Sequence, residues 1–417
     1  MNWSNQSEQT SFYLQMMEKR LKKNDILRII DEKIDFSFIN QQCQKYYCNL
    51  GPTGYCPERL FRMLIVMYMD NIRSERQLSE KLSDSIRYMW FCKLDLDQEA
   101  PNHSTFSVLR TRLGDQLFKK IFENILNQML KAKVVKPKSI SVDSTSVLAD
   151  VKVPSQDDKD VKVQGQQKIS PQDPDARFGH TSPKKSFFGY KTQIMTDNDS
   201  GAILNVDAQP GNFDDKTLDP EFINEPVKEQ ELKIKEAALD KGFDSYALRH
   251  HFQKEKTKAA IPLKKFNTKL YGLDQFQMDV RKKKDICPAQ KEMKYLSFDK
   301  KRKTYEFQGI GCASCPLKEQ CTTGKVRRLS VHQLAPLKAS AKAFNKTQLY
   351  KKISKKRSCV ERVNAEAKRF HGLARAKFRR LWKFKIQCYL TATVINLKRV
   401  AHFFLKQVAQ PFATAGP

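Results

Sequence analysis

The chain has no long apolar run. Its longest, Met63 to Met69, falls well short of the ~20 apolar residues that a membrane-spanning helix needs. No secretory signal opens it, so the expectation is a cytoplasmic protein with no membrane partner. That setting is reducing, and it excludes a disulfide framework for the ten cysteines. Acid is also scarce, with 46 Asp and Glu against 76 Lys and Arg, a formal charge of +30. An excess of that size implies a polyanionic partner, because neutralising phosphates releases condensed counterions. A ribosome-associated protein shares that property, so charge alone gives nucleic acid and no more. Hydrophobic residues at 40% and aromatics at 10% exclude a disordered chain, and 417 residues are enough for two or three domains.

Along the chain, residues 1–136 read as a helical domain for DNA binding or assembly. Leu60, Met63, Leu64 and Met67 recur at helical spacing, as do Leu117, Ile121, Phe122, Ile125 and Met129. Asn102 to Thr105 supply capping residues for a further helix. On the outer faces Arg73, Arg76, Arg87, Arg110 and Arg112 are candidates for phosphate contact. After Pro137 the pattern alternates: Lys138 to Leu148 is rich in β-branched residues and carries Asp143 near its middle, which predicts a strand. Val151 to Ser186 is polar and aperiodic. Phe187 to Thr196 and Ala202 to Gln209 predict a hairpin, Lys235 to Leu239 a strand ending at Asp240, Asp244 a helix cap, and Lys258 to Leu263 a last strand. This order predicts an α/β fold: a ribonuclease-H-like catalytic domain, 137–265, behind the helical N-terminal domain. A basic Cys-rich insertion over 266–336 interrupts it, helices over 337–406 complete it, and 407–417 form a tail.

Chemistry at a phosphodiester needs isolated carboxylates that can hold divalent ions in a basic surround. Asp143 sits within an apolar strand, where an unpaired charge is costly, and Asp240 follows the apolar Ala237, Ala238 and Leu239. Between Lys338 and Lys406 the acids are Glu361 and Glu366, against 20 Lys and Arg. If helical throughout, Arg357, Glu361 and Lys368 fall on one face. Glu366 lies about 140° round from Glu361 and cannot share its site. A solvated salt-bridge ladder is the plain alternative for this stripe. Cys287, Cys312, Cys315 and Cys321 have the spacing of a structural zinc site, with His332 as an alternate ligand. His180, His250, His251 and His371 lack metal spacing and read as surface or DNA-facing.

The pattern R-x3-E-x6-K at Arg357, Glu361 and Lys368 resembles the YREK signature of bacterial insertion-sequence DDE transposases. Ser141 to Thr145 and Ala238 to Phe243 look like that group's two Asp strands. Asp173-Pro174-Asp175-Ala176-Arg177 with Phe188-Gly189-Tyr190-Lys191 is similar to a motif of one branch, and Arg369 to Leu373 matches the run after the Glu. Ser354 stands where the signature has Tyr, with Tyr350 one turn earlier, and Phe243 stands where Tyr is common. The resemblance implies Asp143, Asp240 and Glu361 as catalytic ligands of Mg2+ or Mn2+. It implies Arg357, Lys368, Lys191 and Arg177 as DNA-positioning residues. The expected partners are double-stranded DNA, as element ends and target, and further copies of the chain. A catalytically silent DNA-binding regulator, or a nuclease without strand transfer, remains open, and association with the nucleoid is expected.

Overall fold

A computed structural model describes residues 2–3, 12–47, 53–154, 162–164, 167–182, 184–264, 270–279 and 282–409. The chain divides into two compact units. The first takes Met1–Phe213, Ile223–Ile234 and Ser358–Pro417; the second takes Asp214–Phe222 and Lys235–Arg357.

The first unit opens with helices, among them Ile26–Lys33, Pro57–Met69, Glu75–Asp84 and His103–Lys131. Local caps start them. Asp25, Ser74, Ser85 and Asn102 accept hydrogen bonds from the amides of Leu27, Gln77, Tyr88 and Ser104, and Pro57 occupies a first-turn position that needs no donor. The Met63–Met69 run is a core helix, buried on every side; no helix among the described residues is long and apolar enough to cross a membrane. Not every arginine stays outside. Arg110 is buried, paired with Glu75 and lying 4.1 Å from the Phe378 ring centroid, and Arg87 bonds Asp25 at 2.7 Å. Arg73 and Arg76 remain exposed.

The sheet of this unit is antiparallel and centred on Lys185–Asp197. Ser139–Leu148 pairs along it with Asp143 opposite Ile194, and Ile203–Pro210 and Arg177–Ser182 also pair with it. Part of the polar segment after Val151 is thus strand; residues 155–161, 165–166 and 183 of it lie outside the described ones. The C-terminal helix Leu381–Ala409 packs on Ile203–Pro210 and on His103–Lys131. Buried Asn396 fixes it there, accepting from Ile203 N and donating to Ile203 O.

The DPDAR and FGYK segments serve this docking. Asp173, fully buried, accepts from Tyr190 Oη at 2.7 Å and from Arg380 N at 3.0 Å, and Asp175 accepts from Leu381 N at 2.9 Å. Two carboxylates therefore hold the first turn of the C-terminal helix, where orphan amides and the helix dipole favour anions. Tyr190 also stacks on Phe384. A Cβ at Gly189 would stand 2.1 Å from Val147 O, so only glycine allows the strands this close.

In the second unit Glu236–Leu239 runs parallel to Lys258–Ala260, with the helix Tyr246–Lys254 between them in sequence. Ser245, not Asp244, caps that helix. Asp244 is taken instead by buried Arg249 at 2.8 Å and by Lys264 N. Residues 270–279 and 282–335 carry two small antiparallel sheets, Gln277–Asp279 with Lys284–Ile286 and Lys294–Asp299 with Thr304–Gln308 and Arg328–His332. Their core is small: Phe276, Met293, Phe307, Leu329, Val331 and Ala335.

Candidate active site

Asp143 sits half-buried in mid-strand, flanked along Ser139–Leu148 by buried Ile140, Val142 and Val147. Against this strand packs the helix Ser358–Phe370, which carries Glu361. From that helix Asn364 Nδ2 donates to Asp143 Oδ2 at 2.9 Å. Asn364 is 8% exposed and its Oδ1 has no hydrogen-bond partner. Glu361 lies one turn before Asn364 and Lys368 one turn after, so all three share a face. Glu361 is exposed and Lys368 half-buried. Burial pulls the Lys368 ammonium down, against the raising effect of the Asp143 charge. Strand and helix thus bring together the Asp143 carboxylate, the Asn364 amide and the Lys368 ammonium.

Asn364 was invisible in the sequence, because nothing local marks a helical Asn for a partner 221 residues away. Its amide orients the Asp143 carboxylate. We expect Asn364→Ala, which takes that donor away from Asp143, to lower stability by about 1 kcal/mol in denaturant unfolding. Stability equal to wild type would mean that this hydrogen bond contributes nothing to the fold.

Glu366 is committed elsewhere. Its carboxylate pairs with Arg399, with Lys398 at 3.5 Å and with His371 Nε2 at 3.8 Å. Burial alone would raise the acid, but His371, Arg399 and Lys398 outweigh it and bring it down to about 2. His371 is fully buried with Nδ1 2.8 Å from Tyr68 O, and His251 is buried too. Neither is a surface or DNA-facing residue, while His180 and His250 are exposed.

In the second unit Asp240 leaves the strand Glu236–Leu239 with its side chain 42% exposed, and Arg357 Nη1 approaches it at 3.6 Å. An ion pair this open is worth under about 1 kcal/mol. Arg357 lies in the turn between the helices Gln348–Lys355 and Ser358–Phe370. It is therefore not on the Glu361 helix, and the single-face reading holds for Glu361 and Lys368 alone. Tyr350 packs on Ala238, Ala260 and Ile353, edge-on to Phe344.

The Arg177 guanidinium bonds the Pro174 and Ala176 carbonyls, and Lys191 Nζ bonds Phe213 O at 2.9 Å; both are turned to main-chain oxygens. Cys287, Cys312, Cys315 and Cys321 line one small cavity. His332 does not join them: its Nδ1 accepts from Leu334 N and its ring stacks on Tyr246. Among the described residues, Glu123, Glu225 and Glu229 form a triad of ligand atoms within 4.8 Å. Burial, with Glu229 and Glu225, pushes Glu123 up to about 7 against the pull of Lys119. Lys119 Nζ already pairs with Glu225 and lies 3.7 Å from Glu123, so the cluster carries its own cation.

Two family models match the chain: a transposase domain over residues 15–112 and a transposase DDE domain over residues 140–397, the latter more than half its length. No curated protein matches it. Among solved structures, a piggyBac transposase synaptic complex with hairpin DNA shares 12% identity at a TM-score of 0.37, covering 96% of this chain and 77% of that one. A Mos1 strand transfer complex shares 11% at 0.16, covering 51% and 60%. A Mos1 paired-end complex with the left transposon end shares 11% at 0.17, covering 59% and 75%. Likeness this distant leaves the assignment to the family models.

Proposed function

Because the chain belongs to the transposase DDE domain family, we propose that it binds the ends of an insertion sequence and catalyses divalent-metal-dependent cleavage and strand transfer of DNA. The observation that carries this reading is the hydrogen bond from Asn364, on the helix of Glu361, to Asp143 in mid-strand. It holds one carboxylate in a fixed pose on the helix face that presents the other. The antiparallel strands with a parallel strand pair to follow favour a ribonuclease-H-like catalytic domain, with residues 266–336 as its insertion.

In this proposal Asp143, Asp240 and Glu361 hold Mg2+ or Mn2+. The donor set fits, being hard carboxylate oxygens with the unpartnered Asn364 Oδ1 beside Asp143. Bound divalent ions supply activation of the attacking oxygen and stabilisation of the leaving one. The chain's own work is positioning. Asn364 keeps the Asp143 carboxylate from swinging, and the Lys368 ammonium and the Arg357 guanidinium each grip phosphate oxygens. Water attacks the phosphodiester at the element end and frees a 3′-hydroxyl, which then attacks a target phosphodiester in line. The basic C-terminal surface, including exposed Arg375 and Arg379, tracks the backbone. Joining two ends to one target calls for at least two copies of the chain.

Purified full-length protein with labelled double-stranded element ends tests this. Nicked ends and joined products are expected with Mg2+ or Mn2+ and none with chelator. Tight binding of the ends with no cleavage under any divalent ion would make the chain a DNA-binding regulator instead.

A further inference from the structure

We propose that Cys287, Cys312, Cys315 and Cys321 form a structural zinc site that staples the small sheets of residues 270–335. This site stands apart from the catalytic proposal and does not depend on it.

Each thiol is delivered by a tight backbone feature. Cys287 follows the strand Lys284–Ile286 in a turn closed by Cys287 N to Lys291 O at 2.9 Å and Gln290 N to Cys287 O at 2.8 Å. Cys312 and Cys315 share a second turn, with Cys315 N bonding Cys312 O, and Cys321 ends the short helix Lys318–Cys321. All four line a cavity of about 20 Å³, which is room for one water-sized occupant. Gly309 makes space for it: a Cβ there would stand 2.6 Å from Cys312 Sγ.

The donor chemistry is that of zinc. Among the described residues no His, Asp or Glu lines the cavity, so the ligands are sulfur, which suits soft and borderline ions rather than Mg2+. Four thiolates around Zn2+ leave a net charge of −2, and the thiols release their protons on binding. Lys291, Lys318 and Arg327 line the same cavity and offset that charge. No three of the sulfurs lie within 4.8 Å of one another, so coordination requires the thiols to turn inward about their Cα–Cβ bonds. The plain alternative is four reduced thiols, two of them, Cys287 and Cys321, packed against the apolar cluster. That alternative leaves the convergence of four cysteines and three cations on one ion-sized space without a cause. Six buried apolar residues are also a thin core for two sheets, the setting in which a metal staple is needed.

The test uses full-length protein purified through a tag that binds no metal. About one zinc per chain is expected, with X-ray absorption giving sulfur ligands at about 2.3 Å. Cys312→Ser combined with Cys315→Ser should lose the zinc, while Cys359→Ser, at a buried thiol elsewhere, should keep it. Zinc absent from wild type, zinc retained in the double variant, or a nitrogen-and-oxygen shell would each overturn the proposal. Should the double variant fail to fold, cobalt-substituted wild type decides. Sulfur-to-cobalt charge-transfer bands support the site, and their absence refutes it.

Discussion

Asp143→Ala, Asp240→Ala and Glu361→Ala are each expected to lower nicking and joining of labelled element ends by at least about 10³-fold. That corresponds to roughly 4 kcal/mol of transition-state stabilisation, in keeping with the several kcal/mol that a metal ion contributes to phosphoryl transfer. Binding of the ends should change only a few-fold, because the backbone is tracked by many cations and not by the three acids. The variants differ in their structural cost. Glu361 is exposed in the first turn of its helix, where an acid favours the dipole, so its loss should lower the thermal unfolding temperature only slightly. Asp143→Ala strands the buried Asn364 amide, and a modest drop in stability is expected with it. Asp143→Asn keeps the shape and serves as the matched control, inactive but folded. A Glu361→Ala protein that cleaves within tenfold of wild type would remove Glu361 from the site.

How far the sequence foretold this arrangement depended on where each residue's partners lie. Ser139–Leu148 was legible because alternation and β-branching are local signals, and so was the helix that Asn102 caps. Asp173 was legible as part of a motif, but not as the residue that holds a helix start 207 positions later. Arg110 and His371 were misplaced for the same reason. A charged or polar residue reads as surface until its remote partner is known, Glu75 for one and Tyr68 O for the other. Arg357 was carried onto the Glu361 face because periodicity runs on through a sequence, whereas the helix itself breaks at Lys356 and Arg357. Asp244 and Ser245 are both good caps, and tertiary pairing with Arg249 decided between them.

Glu366→Gln is expected to leave catalysis intact in the folded protein and to lower stability by about 3 kcal/mol at pH 7. The argument is one of linkage. The carboxyl moves from its ordinary 4.5 to about 2 in the folded chain, and each unit is worth about 1.4 kcal/mol. The Glu366 side chain is 18% exposed, so solvent screening takes little from that figure. The folded pKa is depressed, hence the contribution is fully present above about pH 4.5 and is lost as pH falls towards 2. Gln keeps the volume but leaves the Arg399 guanidinium, the Lys398 ammonium and buried His371 without their shared anion. Denaturant unfolding of wild type and variant at pH 7, 5, 4 and 3 reads the difference directly. The gap should be constant from pH 7 to 5 and narrow below. A gap that does not narrow would mean that shape, not charge, is what Glu366 contributes. An intact fold with cleavage lost would instead move the third ligand from Glu361 to Glu366, since a network acid affects stability and a metal ligand affects rate.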